Sequence, residues 1–271
     1  MILNYFDPDQ IGGKQSLAVK VKFSIILGYT IFFTWLLTTS LPWYAMLFCF
    51  YMGILPIRVG GEVGFHRYFA HRSFETSNLK KKFLLLSGSM LGMGSCISWV
   101  AVHRTHHRYS DTPKDPHSPK NIGVIRVWLT LWNDNWSPDP GVVKDLIKDP
   151  LQVFFHRHYF KLLISWITFF AIISYLVGDM TPVAVMFGIP SATASFFSGI
   201  TNGLGHWAGY RNFETNDNSR NHHITRWILC NAGLHNNHHH RPNDWNLNTR
   251  NKWYEFDVEG LIIKYFFIKK S

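Results

Sequence analysis

Cysteine is scarce in this sequence: Cys49, Cys96 and Cys230 are an odd number, widely spaced and in no CxxC pair. That excludes a disulfide framework and a thiolate metal site, and leaves the three as small apolar packing residues. Charge is scarce too, at 16% of 271 residues, and acids are rarer than bases, with 17 Asp and Glu against 27 Lys and Arg. The formal net charge of +10 would suit nucleic acid or an anionic membrane face. No RNP, zinc-finger or helix-turn-helix signature accompanies it, so no nucleic-acid partner is expected. A glycine-rich dinucleotide fingerprint, a flavin motif and a cysteine-rich iron-sulfur motif are missing as well. The start, MILNYFDPDQIGGKQ, is polar and no small-residue cleavage site follows a short apolar core, so no signal peptide is expected. Neither a repeat of fixed period nor a low-complexity linker divides the chain, which reads as one domain over 1–271.

Aromatics are abundant instead, with 22 Phe, 11 Trp and 11 Tyr, and 46% of residues are hydrophobic. The mean hydropathy of -0.04 therefore averages a strongly apolar population with a strongly polar one. Between Lys22 and Arg58 no residue is charged. One bilayer crossing takes roughly 20 apolar residues, so this run holds two helices that turn near Thr38 to Pro42. A second pair, Leu162 to Gly178 and Met180 to Tyr210, is separated by Asp179 and a Thr181-Pro182 turn. The expectation is an all-α membrane protein with four transmembrane helices in two hairpins, spanning about 23–40, 42–62, 162–178 and 181–205. Polar segments over about 66–160 and 206–271 would form a helical cap, with loop chemistry at Asp111 to Pro119, Trp136 to Gly141 and Asn243 to Arg250. Phe83 to Val102 is a fifth apolar stretch, but a crossing there would separate His66 and His71 from His103; Gly88, Gly92 and Gly94 also weaken it. It is expected to be buried or interfacial. Lys and Arg crowd the ends of the spans facing the cap and are absent from the two hairpin turns, which puts both termini and the cap on the cytoplasmic side. Lys80 to Lys82 read as a headgroup anchor.

Fifteen histidines are present, and their spacing sorts them. Residues at i, i+3 and i+4 share one helix face, so His103, His106 and His107 point together, as do His235, His238 and His239. Asn202 and His206 are one turn apart at the end of the fourth span. His66 and His71 are five apart, about 140° around an ideal helix, so the helix must end or distort there for both to converge. Two triplets, a pair and a single residue make nine imidazoles, too many for one tetrahedral zinc and suited to two metals with five and four protein ligands. His117, His156, His158, His222, His223 and His240 lack the convergent pattern and are expected on surfaces or in loops. A His-rich metal transporter would need ionisable residues inside the spans, and the first hairpin has none.

These segments resemble the integral-membrane fatty-acyl desaturases of the stearoyl, delta-9 type. GEVGFHRYFAHRSF resembles the HxxxxH box of that family, HRTHHRYSDTPKDPHSP its HRxHH box, NGLGHWAGYRNFE its NxxxH box and GLHNNHHHRP its HxxHH box. The resemblance implies a di-iron centre (Fe2+/Fe3+) that uses O2 to remove two hydrogens from an acyl chain. The implied iron ligands are His66, His71, His103, His106, His107, His206, His235, His238 and His239, with Asn202 acting through a water. Implied partners are a bilayer, an acyl-lipid or acyl-CoA substrate, and a separate electron donor such as a ferredoxin or a small b-type cytochrome with its reductase. A hydroxylase of the same wider histidine-box group is the close rival. The resemblance places the chain in the bacterial inner membrane, or in the endoplasmic reticulum if it is eukaryotic. Gly199, Gly203, Gly205, Phe196, Phe197 and Trp207 are candidate walls of an acyl tunnel.

Two positions depart from the family pattern. Ala101-Val102 stand where acyl-CoA members usually carry Arg-Asp, which weakens the case for a CoA thioester and makes a phospholipid-bound or otherwise activated chain competitive. Glu62 stands one turn before His66, where relatives more often have Thr, and is expected to orient an imidazole; Asp115 and Asp257 are further candidates for that task.

Overall fold

A computed structural model of the chain describes residues 13–130, 140–223, 233–250 and 252–269. Cys230, the polar start up to residue 12 and residues 136–139 of the expected loop lie outside them. The described residues are helical, without strands and with only the isolated bridges Tyr210 to Asn221 and Asn221 to Leu234.

The charge-free run becomes α1 (Gly13–Thr38) and α2 (Trp43–Pro56), joined by a turn in which Pro42 accepts from the Ala45 N–H at 2.9 Å. Helix α2 does not stop at its proline. It continues as a π-helical segment (Ile57–Ala70), so one apolar helix runs over Trp43–Ala70. Then come α3 (Asn78–Ser89), α4 (Cys96–Tyr109), α5 (Pro119–Ile122), α6 (Val124–Thr130) and α7 (Pro150–Arg157). The second hairpin is α8 (Tyr159–Val177) and a helix that begins as α9 (Thr181–Val183) and ends as α10 (Ile189–Leu204). Asp179 starts the returning helix of the hairpin by accepting the Thr181 N–H at 2.6 Å. Two short helices, α11 (His235–His240) and α12 (Val258–Ile262), follow.

Among the described residues, four helices are long and apolar enough to cross a membrane: Val21–Thr38, Trp43–Ala70, Tyr159–Val177 and Thr181–Leu204. Large apolar side chains stay exposed along three of them, including Phe33, Leu37, Leu47, Phe48, Tyr51, Phe169, Ile172 and Leu176. That is the surface expected of a helix whose solvent is lipid. The fourth is enclosed by its neighbours α1, α2 and α6.

The fifth apolar stretch is not a span. At about 1.5 Å per residue the twelve residues of α3 reach only about 18 Å. Gly92 and Gly94, with φ of 76° and 96°, turn the chain before Ser95 restarts it as α4 by accepting the Ser98 N–H at 3.2 Å. Both φ values lie where a Cβ is costly. The packed core beneath the site joins the π-helical segment, α3, α4 and the C-terminal helix through Val63, Phe65, Leu84, Leu85, Ile97, Val100 and Ile263, all buried. A second core, with Trp35, Leu163, Phe187 and Ile189, ties the two hairpins together.

Candidate metal centre

The first histidine pair lies where the π-helical segment ends. The His71 N–H donates to the His66 carbonyl at 3.2 Å, an i to i+5 bond that carries residues five apart onto one face. His103, His106 and His107 project from one face of α4, His206 follows the last turn of α10, and His235, His238 and His239 lie on α11. The structure gathers these nine imidazoles into two groups. His66, His71, His103, His107 and His238 form one, His106, His206, His235 and His239 the other, and within each group one nitrogen per ring lies within 4.8 Å of all the others. Each group could hold a metal ion.

The nitrogens that face one another are consistently Nε2: His66 to His238 at 3.0 Å, His71 to His103 at 2.7 Å, His107 to His238 at 2.9 Å, His206 to His235 at 2.9 Å and His106 to His239 at 3.3 Å. Four rings have their Nδ1 on a carboxylate: His66 on Glu62 (2.9 Å), His106 on Asp115 (3.0 Å), His206 on Asp111 (3.0 Å) and His239 on Asp217 (2.6 Å). A neutral imidazole that donates from Nδ1 has only a lone pair at Nε2. The His106 and His239 lone pairs thus confront each other at 3.3 Å. Two acceptors at that distance repel unless a cation lies between them, so the donor set fits a metal.

Burial enforces the neutral state. It is the largest influence on His71, His103, His107, His235 and His238, and neighbouring imidazoles add to it, holding all five well below the ordinary histidine range. For His239 burial outweighs the Asp217 hydrogen bond and leaves the ring at about 3. Burial alone would raise the carboxyls behind them. The facing imidazoles and the donors around each carboxylate prevail, so Asp111 lies at about 2 and Asp115 and Asp217 lie well below the usual range.

Glu62 and Asp115 therefore touch imidazoles, whereas Asp257 is engaged by an arginine and by backbone. It forms a buried two-point pair with Arg67, at 2.9 and 3.1 Å, and accepts the Leu247 and Gly260 N–H groups. Through Arg67 it pins the C-terminal segment to the turn before His71. Asn202 is half-buried one turn before His206, and its amide makes no hydrogen bond among the described residues. Gly199 lies where α6 crosses α10: a Cβ there would come 2.1 Å from Trp128, so close helix packing already accounts for it.

Several residues escaped the reading of the sequence. Asp111 and Asp217 were not singled out, although both sit in turn-rich polar segments beside histidine boxes. Asn236 and Asn237, between ligand positions in HNNHHH, turn inward and are fully buried. Asn237 Oδ1 accepts from Asn212 and Asn221 at 2.8 Å each, while its amide donates to Glu255 and the Leu247 carbonyl. These bonds anchor a helix too short to hold itself. His117 and His156 correct the surface expectation, since both are buried. His117 lies 4.3 Å from the His106 ring, and its nitrogens have no hydrogen-bond partner among the described residues. His156 Nδ1 meets Ser95 at 2.5 Å. His158, His223 and His240 are exposed, and His222 is half-buried on the Leu204 carbonyl.

The fatty acid desaturase family model matches residues 41–255. The chain is 31% identical over 248 residues to a probable acyl-CoA desaturase of Schizosaccharomyces pombe, covering 88% of this chain but about half (49%) of that protein. It is 30% identical over 209 residues to an sn-1 stearoyl-lipid 9-desaturase of Anabaena variabilis, covering 76% of this chain and 74% of the relative. A delta-9 acyl-lipid desaturase 2 of Arabidopsis thaliana is 27% identical over 243 residues, with 90% and 76% covered. Matched over most of its length and carrying two imidazole groups between apolar helices, the chain belongs to the fatty acid desaturase family.

Proposed function

We propose that this enzyme is an oxygen-dependent fatty-acyl desaturase that introduces a cis double bond, of the delta-9 type, through two irons held by the nine histidines. The observation that carries the reading is the set of Nε2 lone pairs turned toward one another and fixed by four Nδ1 carboxylates. All-nitrogen sites suit iron, and two adjacent sites suit the multi-electron reduction of O2. Bound iron would supply the oxidant that abstracts hydrogen from an unactivated methylene. The overall reaction balances as one acyl CH2–CH2 unit, O2, two electrons and two protons giving CH=CH and two waters. The two electrons come from a separate carrier.

What remains for the chain is orientation. Glu62, Asp115, Asp111 and Asp217 hold four rings in the tautomer that leaves Nε2 free. Asn202, one turn before His206 at the end of the fourth span, would meet the centre through a water. The buried core on α4 and the π-helical segment backs the five-histidine group with packed apolar side chains.

A lipid-bound chain is the preferred substrate. Ala101 is buried in the core cluster and Val102 is half-buried, so neither position offers a CoA headgroup a charge. Two of the relatives named above are acyl-lipid or stearoyl-lipid enzymes. The site and both termini are assigned to the cytoplasmic side of a bacterial inner membrane. Lipid analysis of a desaturase-deficient host expressing the chain tests the reading. A new cis alkene at carbon 9 of lipid-bound chains is expected; hydroxylated chains without an alkene, or no new product, would overturn it.

A further inference from the structure

Beside the five-histidine group lies a pocket of about 660 Å³, lined by Ala70, His71, Arg72, Arg104, Lys144, Asp145 and Lys148 among others. It opens where the second apolar helix ends at Ala70, so a water-soluble partner can reach it. Four cations face it against the single carboxylate of Asp145. That carboxylate is already committed, bonding Arg72 at 2.6 Å and Arg104 at 2.7 Å. Lys144 and Lys148 are exposed and pair with no acid among the described residues. The pocket is thus a basic dish with unspent charge.

Its floor is what distinguishes it. His71 lines the pocket while its Nε2 faces His103 Nε2 at 2.7 Å, inside the five-histidine group. Arg72 and Arg104, which make the wall, each follow a member of that group directly in sequence, His71 and His103. Arg72 is 65% exposed and held at φ 52°, a left-handed conformation unfavourable for an arginine, and it bridges to Asp145. Surface charge and buried imidazoles are therefore linked through a few covalent bonds.

We propose that this pocket is the docking seat for an acidic one-electron redox protein, and that His71 is its electron port into the centre. The inference rests on the desaturase reading, which requires electrons from outside the chain. A lipid headgroup or an acyl carrier protein would share the negative charge, but an acyl chain entering here would need an apolar throat. Among the described residues, Ala70, Gly141 and Val142 are the only non-polar ones in the lining. Each carrier gives up one electron, so two carriers are oxidised as two ferric ions become ferrous.

The test mixes the iron-loaded, oxidised full chain in lipid nanodiscs, without oxygen, with a reduced acidic [2Fe–2S] ferredoxin or a reduced small acidic b-type cytochrome. Carrier oxidation is followed by absorbance. Reversing the free charges, Lys144→Glu with Lys148→Glu, is expected to slow carrier oxidation by about tenfold or more at low ionic strength and to flatten its salt dependence. Lys144→Gln with Lys148→Gln is expected to fall between. Reduced methyl viologen, a small cation, is expected to reduce wild type and variants within about twofold of each other, which shows the centre intact. Equal carrier rates in wild type and the Glu variant would overturn the proposal. So would a wild type that accepts electrons from viologen but from neither carrier. A variant impaired only with acyl-carrier substrates would also overturn it and assign the pocket to that partner. Electron transfer without any alkene product would sink the desaturase reading while leaving the docking seat in place.

Discussion

Asp217 offers the sharpest handle on the centre. Its carboxylate takes the His239 Nδ1 at 2.6 Å and is itself fixed by the Thr215 hydroxyl at 2.7 Å and the Ser219 N–H at 3.0 Å. The loop is thus built around a rigid acceptor that keeps His239 Nε2 unprotonated and aimed at its group. Removing such a partner behind a metal-binding imidazole costs about 10- to 100-fold in metal affinity or activity, or roughly 1.4–2.8 kcal/mol. Asp217→Asn retains an acceptor oxygen and loses the charge, so about tenfold weaker iron retention is expected. Asp217→Ala leaves a buried Nδ1 unpaired and belongs near the hundredfold end. The assay is chelator competition on the purified protein in detergent, with turnover measured alongside. Asp244→Asn, which alters only an exposed pair with Arg241 at 3.8 Å, is the control and is expected to match wild type. An Asp217→Ala protein that holds iron and turns over like wild type would refute the argument that this carboxylate sets the tautomer.

The same logic at the other group predicts that Glu62→Gln weakens iron retention by about tenfold; unchanged iron content and turnover would remove Glu62 from the account. Gly60→Ala would place a Cβ 2.3 Å from the Gly88 backbone nitrogen, and since neither backbone can yield, a loss of about 3 kcal/mol is expected as a lowered thermal midpoint. Arg67→Met leaves Asp257 buried without its arginine and is expected to cost about 3–5 kcal/mol as a lowered thermal midpoint; a variant as stable as wild type would contradict this. Acid should destabilise the metal-free protein. Burial holds His239 at about 3 against an ordinary 6.5, so between those values the unfolded chain binds more protons and stability falls as pH drops through the window. Bound metal, which also requires neutral rings, acts in the same direction. Denaturant midpoints that rise from pH 6.5 to pH 4 would have the wrong sign.

Much of this was legible in the sequence because bilayer and helix geometry leave regular marks. A charge-free run sized for two crossings, glycines inside Phe83 to Val102 and imidazoles at i, i+3 and i+4 each translate directly into an element or a face. The five-residue gap from His66 to His71 also signalled a distorted helix, though not that i to i+5 bonding would supply the distortion. The carboxylates were harder. Asp111 meets His206 across 95 positions, and only the fold of two polar loops brings them together. Asp257 was an orienting candidate by its acid type, yet Arg67 is the partner that compensates its burial. Asn236 and Asn237 look like solvated spacers in HNNHHH, because no local pattern reveals that a six-residue helix is tied down from its own interior positions. His117 and His156 lacked helical spacing, and spacing carries no information about burial supplied by distant loops.

Iron per chain is the measurement that bears most directly on the central claim. Purified, reconstituted protein is expected to hold two irons, and His235→Ala, which alters only the four-histidine group, is expected to lose one and keep the other. A single iron in the wild type, or two irons that survive the loss of His235 together with full turnover, would contradict a centre built from five and four imidazoles.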